Sequence, residues 1–244
     1  MQKKLTSLEF EVIIKKCRPL NLSIDNIQVS QASKAKFLGI VIDEHLDWKE
    51  HCRCIISQLS SFCYLFRNLR NVLTTEQLVL LYHTQVGSRL RYALIFWGSS
   101  IMLKNVLVCQ KRVIRCLLGL KRRDSCRTAF KRLNILTVTS LYIYELCIYV
   151  FKNRHSFVRN KDFHGLNTRY KNNFHLAFKR LNVTKNCPDH MGLILFNSLP
   201  DRIKDSVSLS IFKRVLKDFL LEMTLYNMGE FHARCDRRFD AGYM

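Results

Sequence analysis

One apolar stripe constrains the fold of this chain more than any other feature. From Trp48 onward, apolar residues recur at alternating spacings of four and three positions: Trp48, Cys52, Ile55, Leu59, Phe62, Phe66, Leu69 and Leu73. Because an α-helix repeats every 3.6 residues, this spacing places them on one face of a helix of about seven turns. The opposite face carries Lys49, Arg53, Arg67 and Arg70. The stripe predicts a long helix that packs on one side and is positive on the other.

Residues that break helices are scarce in the rest of the chain. Only 8 Gly and 3 Pro occur in 244 residues, which favours long helices over an all-β fold with many turns. The sequence Thr-Thr-Glu-Gln at 74–77 has the spacing of a capping box and opens a predicted helix toward Arg91. Apolar periodicity predicts further helices at 103–118, 125–133, 138–155 and 210–226, with a turn at Pro200 before the last of them.

The N-terminal region has a different pattern. Two runs rich in β-branched residues, 10–16 and 36–43, are separated by turn-forming residues and predict two or three strands of a small sheet. A sheet of this size does not bury its apolar face alone. We therefore expect a mostly α fold with a small N-terminal β element, in the α+β class.

Three carboxylates follow the second predicted strand: Asp43, Glu44 and Asp47. Carboxylates at a strand end are common ligands of magnesium in enzymes that act on phosphates. The alternative is a helix start, because Asp47 precedes the apolar stripe and is followed three residues later by Glu50. We interpret Asp47 as the N-cap of the long helix.

Charge points to a polyanionic partner. The chain has 40 Lys and Arg against 19 Asp and Glu, a formal net charge of +21. Such an imbalance favours nucleic acid as partner, with an anionic membrane surface second. The densest cluster of positive charge surrounds Gly119, a residue predicted to separate two helices. Asp124 is the one acidic residue within this cluster. Its members are Lys111, Arg112, Arg115, Lys121, Arg122, Arg123, Arg127, Lys131 and Arg132. These side chains can track phosphates; a solvated helix face is the alternative.

Cysteine and histidine usage indicates an intracellular chain without a metal site. Most of the 10 Cys lie within apolar helical patterns, as reduced core residues do. The Cys/His pairs at 51–54, 187–190 and 232–235 do not make a convincing set of four zinc ligands. We predict no metal cofactor.

Neither a secretory signal nor a membrane span is predicted. The first ten residues lack a long apolar stretch. The most apolar segment, 135–151, contains Glu145 and is shorter than the roughly 20 residues that cross a bilayer. We expect a buried helix there, and a nuclear or cytoplasmic protein that is not secreted and not membrane-bound.

Four stretches, in this order, resemble the C-terminal part of reverse transcriptases from insect jockey-like, LINE-type non-LTR retrotransposons. They begin KFLGIVIDEHLDW, LSSFCYLFRNLRNV, CQKRVIRCLLGLKRR and MGLILFNSLPDRIK and occupy 36–51, 59–100, 109–150 and 191–231. The resemblance runs from about Leu22 to Phe231. It implies a fragment of an RNA-directed DNA polymerase.

The resemblance also implies roles for particular segments. The family's primer grip is the strand that positions the primer end, and it corresponds here to Phe37, Leu38, Gly39 and Ile40. A glycine within a strand permits close approach of a nucleotide. The chain would divide into a palm remnant (1–46), a helical thumb with a basic helical region (47–155), a basic flexible connector (156–188), a C-terminal helical segment (189–231) and an unassigned tail (232–244).

Some family features are absent from this sequence. The catalytic aspartates of the family's palm would precede Met1, no adjacent Asp-Asp pair occurs, and Ala93 stands where the family usually has glycine. Mg²⁺ would belong to the missing palm, so we expect no catalytic residue, no cofactor and no enzymatic activity in this chain alone. The expected partners are RNA, DNA or an RNA/DNA hybrid, with the polymerase palm and fingers as the natural packing partner. A basic helical interaction protein and a non-functional transposon remnant are the alternatives.

Overall fold

The fold is mostly helical with a small β element near the N-terminus, which confirms the predicted α+β class. The computed structural model describes residues 6–7, 23–24, 27–28, 30–164 and 169–240. The helices are α1 Lys49–Leu69, α2 Thr75–Leu81, α3 Ser88–Arg91, α4 Leu94–Trp97, α5 Leu103–Leu118, α6 Arg127–Arg132, α7 Val138–Lys152, α8 Asn160–His164, α9 Asn182–Lys185, α10 Pro188–Asn197, α11 Asp201–Lys204, α12 Leu209–Met223 and α13 Met228–Asp240.

In the described part of the chain, six short strands form three two-stranded sheets. They are β1 Thr6–Ser7, β2 Ser23–Ile24, β3 Ile27–Gln28, β4 Ser30–Gln31, β5 Lys34–Phe37 and β6 Ile40–Asp43. Strand β1 pairs with β4 in parallel. Strand β2 pairs with β3, and β5 with β6, in antiparallel orientation. The predicted strand at 10–16 lies outside the described residues. The prediction of one strand over 36–43 is wrong, because the chain turns at Leu38 and Gly39 and makes a hairpin.

The long amphipathic helix is confirmed. In α1 the side chains of Cys52, Ile55, Leu59 and Phe66 are buried, as the apolar stripe predicts. Helix α5 has the predicted bounds and packs against α1 along its length. Ser100, just before α5, donates a hydrogen bond from Oγ to the carbonyl oxygen of Asp47 at 2.8 Å. The two helices therefore start together and run parallel.

The predicted capping box is present at the start of α2. Thr74 Oγ1 accepts from the Gln77 amide at 3.3 Å, and Gln77 Oε1 accepts from the Thr74 amide at 3.0 Å. A π-helical turn, Tyr82–Gly87, joins α2 to α3, so helical structure continues to Arg91 as predicted. Local hydrogen-bonding signals therefore place this helix correctly.

The apolar segment predicted as a buried helix lies in the core as α7. Its buried side chains occur all around the helix, which is typical of a central helix. The helices that pack on it include α5, α10 and α12. Close packing with α10 depends on Gly192, where an added Cβ would lie 2.8 Å from Val150 Cγ2.

A buried glutamine ties α5 to the start of α7. Gln110 Nε2 donates to Tyr82 Oη at 2.8 Å and to the Leu136 carbonyl oxygen at 2.9 Å. Its Oε1 accepts from the Val138 amide at 2.7 Å. All these polar groups are thus satisfied without water, as a buried network requires.

Other sequence predictions have mixed outcomes. Helix α13 covers most of the segment predicted as an unassigned tail. The prediction that the 210–226 helix is the last helix is therefore wrong. Nine cysteines lie in the described part, and of these Cys52, Cys109, Cys126, Cys147 and Cys235 are buried. Within the described ranges no helix has the length and apolar character that a bilayer crossing requires. The division into polymerase-like domains stays a prediction.

Candidate nucleic-acid interface

The residues predicted as a primer grip lie at the tip of the β5–β6 hairpin. Leu38 and Gly39 have φ angles of +46° and +84°, as in the two-residue turns that join hairpin strands. The interpretation of Gly39 as a glycine within a strand is wrong, since its positive φ serves the turn. Phe37 is 61% exposed and Leu38 73% exposed, whereas Ile40 is partly buried. Two apolar side chains thus project from the tip.

The hairpin is attached to the helices by polar contacts. The hydroxyl of Tyr92 donates to the Leu38 carbonyl oxygen at 2.6 Å. The amide of Val41 donates to His51 Nδ1 at 3.4 Å. Burial lowers the pKa of His51, so its neutral form, which accepts this bond, is favoured. Sequence patterns did not identify Tyr92 or His51 as hairpin contacts, because their partners lie 54 and 10 positions away, beyond the spacings of three or four that mark helical contacts.

The three carboxylates after the hairpin stabilise the chain reversal before α1. Asp43 accepts from the amides of Asp47 at 2.9 Å and Trp48 at 3.1 Å. Asp47 accepts from the Lys49 amide at 3.0 Å and forms an ion pair with the Lys49 side chain. Burial alone would raise the pKa of Asp47, but the hydrogen bonds and charge of Lys49 outweigh it and lower the pKa.

The N-cap prediction for Asp47 is wrong in detail. The residue at the helix boundary is Trp48, with φ +61° and no side-chain cap. Glu50 pairs with Arg53, and its carboxylate lies 4.0 Å from Lys34 Nζ. Across the described ranges, no three His, Cys, Asp or Glu side chains converge as metal ligands would. The oxygens of Asp43 and Asp47 are already occupied by protein donors.

The predicted nucleic-acid-binding cations of α1 fall into two classes. Lys49 and Arg53 are neutralised by Asp47 and Glu50. Arg67 and Arg70 at the other end are exposed and form no ion pair with any described residue. Arg70 lies against Gly119 at the end of α5, where an added Cβ would be 2.6 Å from its Nη1. The positive φ of Gly119, +68°, ends α5 as predicted.

The loop after Gly119 adds three cations beside Arg67 and Arg70. Asp124 Oδ2 accepts from the Lys121 amide at 2.8 Å and holds this loop in a turn. The side chains of Lys121, Arg122 and Arg123 are exposed and lack ion pairs within the described chain. We call the five cations at the shared end of α1 and α5 the basic end: Arg67, Arg70, Lys121, Arg122 and Arg123.

Three cations of the predicted cluster are used inside the protein. Arg127 donates to the Thr224 carbonyl oxygen at 2.8 Å and to Glu230 at 2.9 Å. Its guanidinium carbon and Lys111 Nζ lie 4.2 and 4.4 Å from the ring centre of Tyr226. Arg115 Nη2 donates to the Asp124 carbonyl oxygen at 3.0 Å. We therefore assign these three cations a structural role.

The remaining members of the cluster stay exposed. Arg112, Lys131 and Arg132 lie on α5 and α6 without ion pairs to described residues. Burial would raise the pKa of Glu230, but the hydrogen bonds from Arg127 and the Tyr226 amide, together with the charges of Arg127 and Arg234, outweigh it and lower the pKa. Glu230 therefore stays ionised and keeps Arg127 turned inward. Charge in the sequence alone did not separate these inward cations from the exposed ones.

The chain matches no protein-family model, no curated protein and no solved structure.

Proposed function

We propose that this chain binds a template–primer duplex of RNA and DNA, as the primer grip and thumb of a LINE-type reverse transcriptase would, without catalysing synthesis itself. The observation that carries the proposal is the basic end. Five exposed cations there face solvent with no carboxylate partner among the described residues. A phosphate backbone supplies the charge that these side chains lack.

The hairpin tip supports the proposal independently. Leu38 combines a positive φ with 73% exposure, although a β-branched or bulky residue usually avoids this backbone conformation. An exposed apolar side chain on a conformation that costs energy is typical of a contact surface. We propose that the side chains of Phe37 and Leu38 contact the sugar and base at the primer end.

Salt dependence tests the proposal directly. Fluorescence anisotropy would follow the binding of a labelled 16-base-pair RNA/DNA hybrid between 50 and 300 mM KCl. If all five cations contact phosphates, the log–log slope of affinity against salt is about −4.5. A flat salt dependence would contradict the proposal.

A matched pair of variants locates the contact. R67Q/R70Q removes two unpaired cations from the basic end, so the slope should become shallower by about 2. K49Q/R53Q removes the same charge from positions that Asp47 and Glu50 already neutralise, and the slope should change by less than about 0.5. Equal effects of the two variants would place the contact elsewhere.

Two further assays separate the alternatives. Primer extension with Mg²⁺ is expected to yield no product, and synthesis by the purified chain would overturn the non-catalytic part of the proposal. Binding to anionic vesicles, together with no binding to nucleic acid at low salt, would favour a basic interaction protein. No binding to either would favour a remnant without function.

A further inference from the structure

A second cationic surface lies on other elements than the basic end. A cavity of about 570 Å³ opens between the end of α7, residues 169–174, α10 and α11. This volume falls within the range of small-molecule pockets. Its lining includes Phe151, Arg154, Arg159, Asn173, Phe174 and Lys204. We call this cavity the arginine pocket.

The floor of the arginine pocket is aromatic and held in place. Phe174 is buried, and its amide and carbonyl groups both bond the side chain of Asn197, at 3.0 and 2.8 Å. Phe151 stacks on Phe212 with ring centres 4.3 Å apart. Through Phe174, part of the predicted flexible connector is therefore packed onto the core.

Two guanidinium groups lie on this floor. Arg154 Cζ is 4.7 Å from the ring centre of Phe151, and Arg159 Cζ is 5.7 Å from that of Phe174. Neither arginine forms an ion pair with a described residue. A guanidinium held on one ring keeps its N–H edge for a phosphate and its other face for a planar base. Both cations are thus pre-positioned without a counter-ion from the described part of the chain.

The acidic residues at the pocket do not neutralise these arginines. Asp201 pairs with Lys204 at 2.8 Å, and Lys204 also donates to Asn173 Oδ1 at 3.1 Å. Asp205 lies exposed at the rim. The lysine is therefore satisfied within the protein, and the pocket cations without an ion pair to a described residue are Arg154 and Arg159.

We propose that the arginine pocket binds a nucleotide, with the phosphate on Arg154 and Arg159 and the base against their guanidinium planes. A phosphate site beside a stacking face suits two ligands equally: a free mononucleotide, or an unpaired nucleotide of a bound strand. In the second case the inference deepens the proposed function and rests on it, because the strand would be the template or primer.

Competition binding tests the pocket and separates the two sources. The full chain would be titrated with adenosine 5′-monophosphate, inorganic phosphate and a labelled single-stranded RNA 12-mer. R154Q/R159Q should weaken the binding of the mononucleotide or the 12-mer about tenfold or more, because charge-assisted hydrogen bonds are lost. The matched control K131Q/R132Q removes the same charge from exposed positions on α6 and should leave mononucleotide binding within twofold.

The conservative variant R154K/R159K keeps the test valid even if R154Q/R159Q does not fold. It retains the charge but not the planar face, so phosphate affinity should stay within twofold while mononucleotide affinity falls severalfold. Unchanged binding of both nucleotide ligands in the arginine variants would overturn the proposal. Equal affinity for phosphate and mononucleotide in the native chain would also overturn it.

Failure of this inference can be told apart from failure of the proposed function. R67Q/R70Q should weaken hybrid binding and leave mononucleotide binding unchanged, because the basic end and the arginine pocket use different elements. A chain that binds mononucleotide but no hybrid supports the pocket and contradicts the duplex proposal.

Discussion

The hydroxyl of Tyr92 and the carbonyl oxygen of Leu38 lie 2.6 Å apart and join the hairpin tip to the helical body. Tyr92 sits between α3 and α4, far along the chain from the hairpin. Gly39 lies beside the Tyr92 ring, where an added Cβ would be at an ordinary contact distance of 3.9 Å. Tyr92 therefore adds to the attachment that His51 provides through the Val41 amide.

We expect Y92F to free the hairpin tip. Loss of the hydrogen bond should lower the free energy of unfolding by about 0.5–1.5 kcal/mol, measured by urea denaturation. The control Y64F changes an exposed tyrosine of α1 and should shift it by less than about 0.5 kcal/mol. If the tip also contacts a primer, hybrid affinity should fall in Y92F and not in Y64F. Equal stability of the two variants would contradict the role of Tyr92.

A glycine should suit position 93 better than the alanine that is present. Ala93 has φ +51° at the turn between α3 and α4, and the indole of Trp97 donates to the preceding carbonyl oxygen at 2.9 Å. This conformation costs an L-residue about 1–2 kcal/mol, partly offset by the greater freedom of glycine when unfolded. A93G should therefore raise the free energy of unfolding by about 0.5–1 kcal/mol.

The reverse change at a second left-handed position is the control for A93G. Gly119 has φ +68° and the Arg70 guanidinium packs against it, so G119A should destabilise the chain. Thermal unfolding would measure both variants. Destabilisation by A93G would show that the backbone strain at this turn is not the controlling factor.

Gly98 should tolerate no side chain. An added Cβ would lie 2.6 Å from Tyr142 Cε2 and 2.7 Å from the Leu94 carbonyl oxygen, and the Tyr142 ring is buried. We expect G98A to cost about 3 kcal/mol through overpacking. Gly87 offers the contrast, because its nearest neighbours would be 3.6 Å away. G87A should be neutral or stabilising by up to about 1 kcal/mol; similar losses in both variants would contradict this account.

Acidification should weaken the fold through His51. Burial lowers its pKa in the folded state, so the unfolded chain takes up the proton first as pH falls. The contribution of His51 to the free energy of unfolding is fully present above pH 6.5, the ordinary pKa of histidine. It is lost as pH falls from 6.5 toward the lower pKa of His51 in the folded chain. The free energy of unfolding, measured by urea denaturation between pH 8 and 5, should therefore decrease over the acidic part of this range.

Variants at two histidines isolate this dependence. H51N can still accept the Val41 amide but does not titrate, so its loss of stability below pH 6.5 should be smaller than that of the native chain. H155N replaces an exposed histidine and should reproduce the native pH profile more closely. Identical profiles for H51N and the native chain would exclude His51 as the source.

Local signals in the sequence were sufficient for most helices. The bounds of α5 and the capping box at Thr74 follow from periodicity and from residues three or four positions apart, which determine helical contacts by themselves. The hairpin was missed because Leu38 is an unusual residue for a turn with positive φ. The predicted end of α12 was too late, because Thr224 adopts a positive φ of +46° and the helix ends at Met223. The extent of α13 was missed because the segment after Phe231 resembled no known pattern.

Tertiary structure decided which charges remain available. The sequence determined that nine cations would lie near Gly119, but Lys111 and Arg127 contact Tyr226, which is about 100 positions away from both in the chain. The same holds for the arginine pocket, where Phe151 and Phe174 hold two guanidiniums that composition alone could only count. Helices follow from neighbours along the chain, whereas the partner of a charged side chain depends on packing between distant segments.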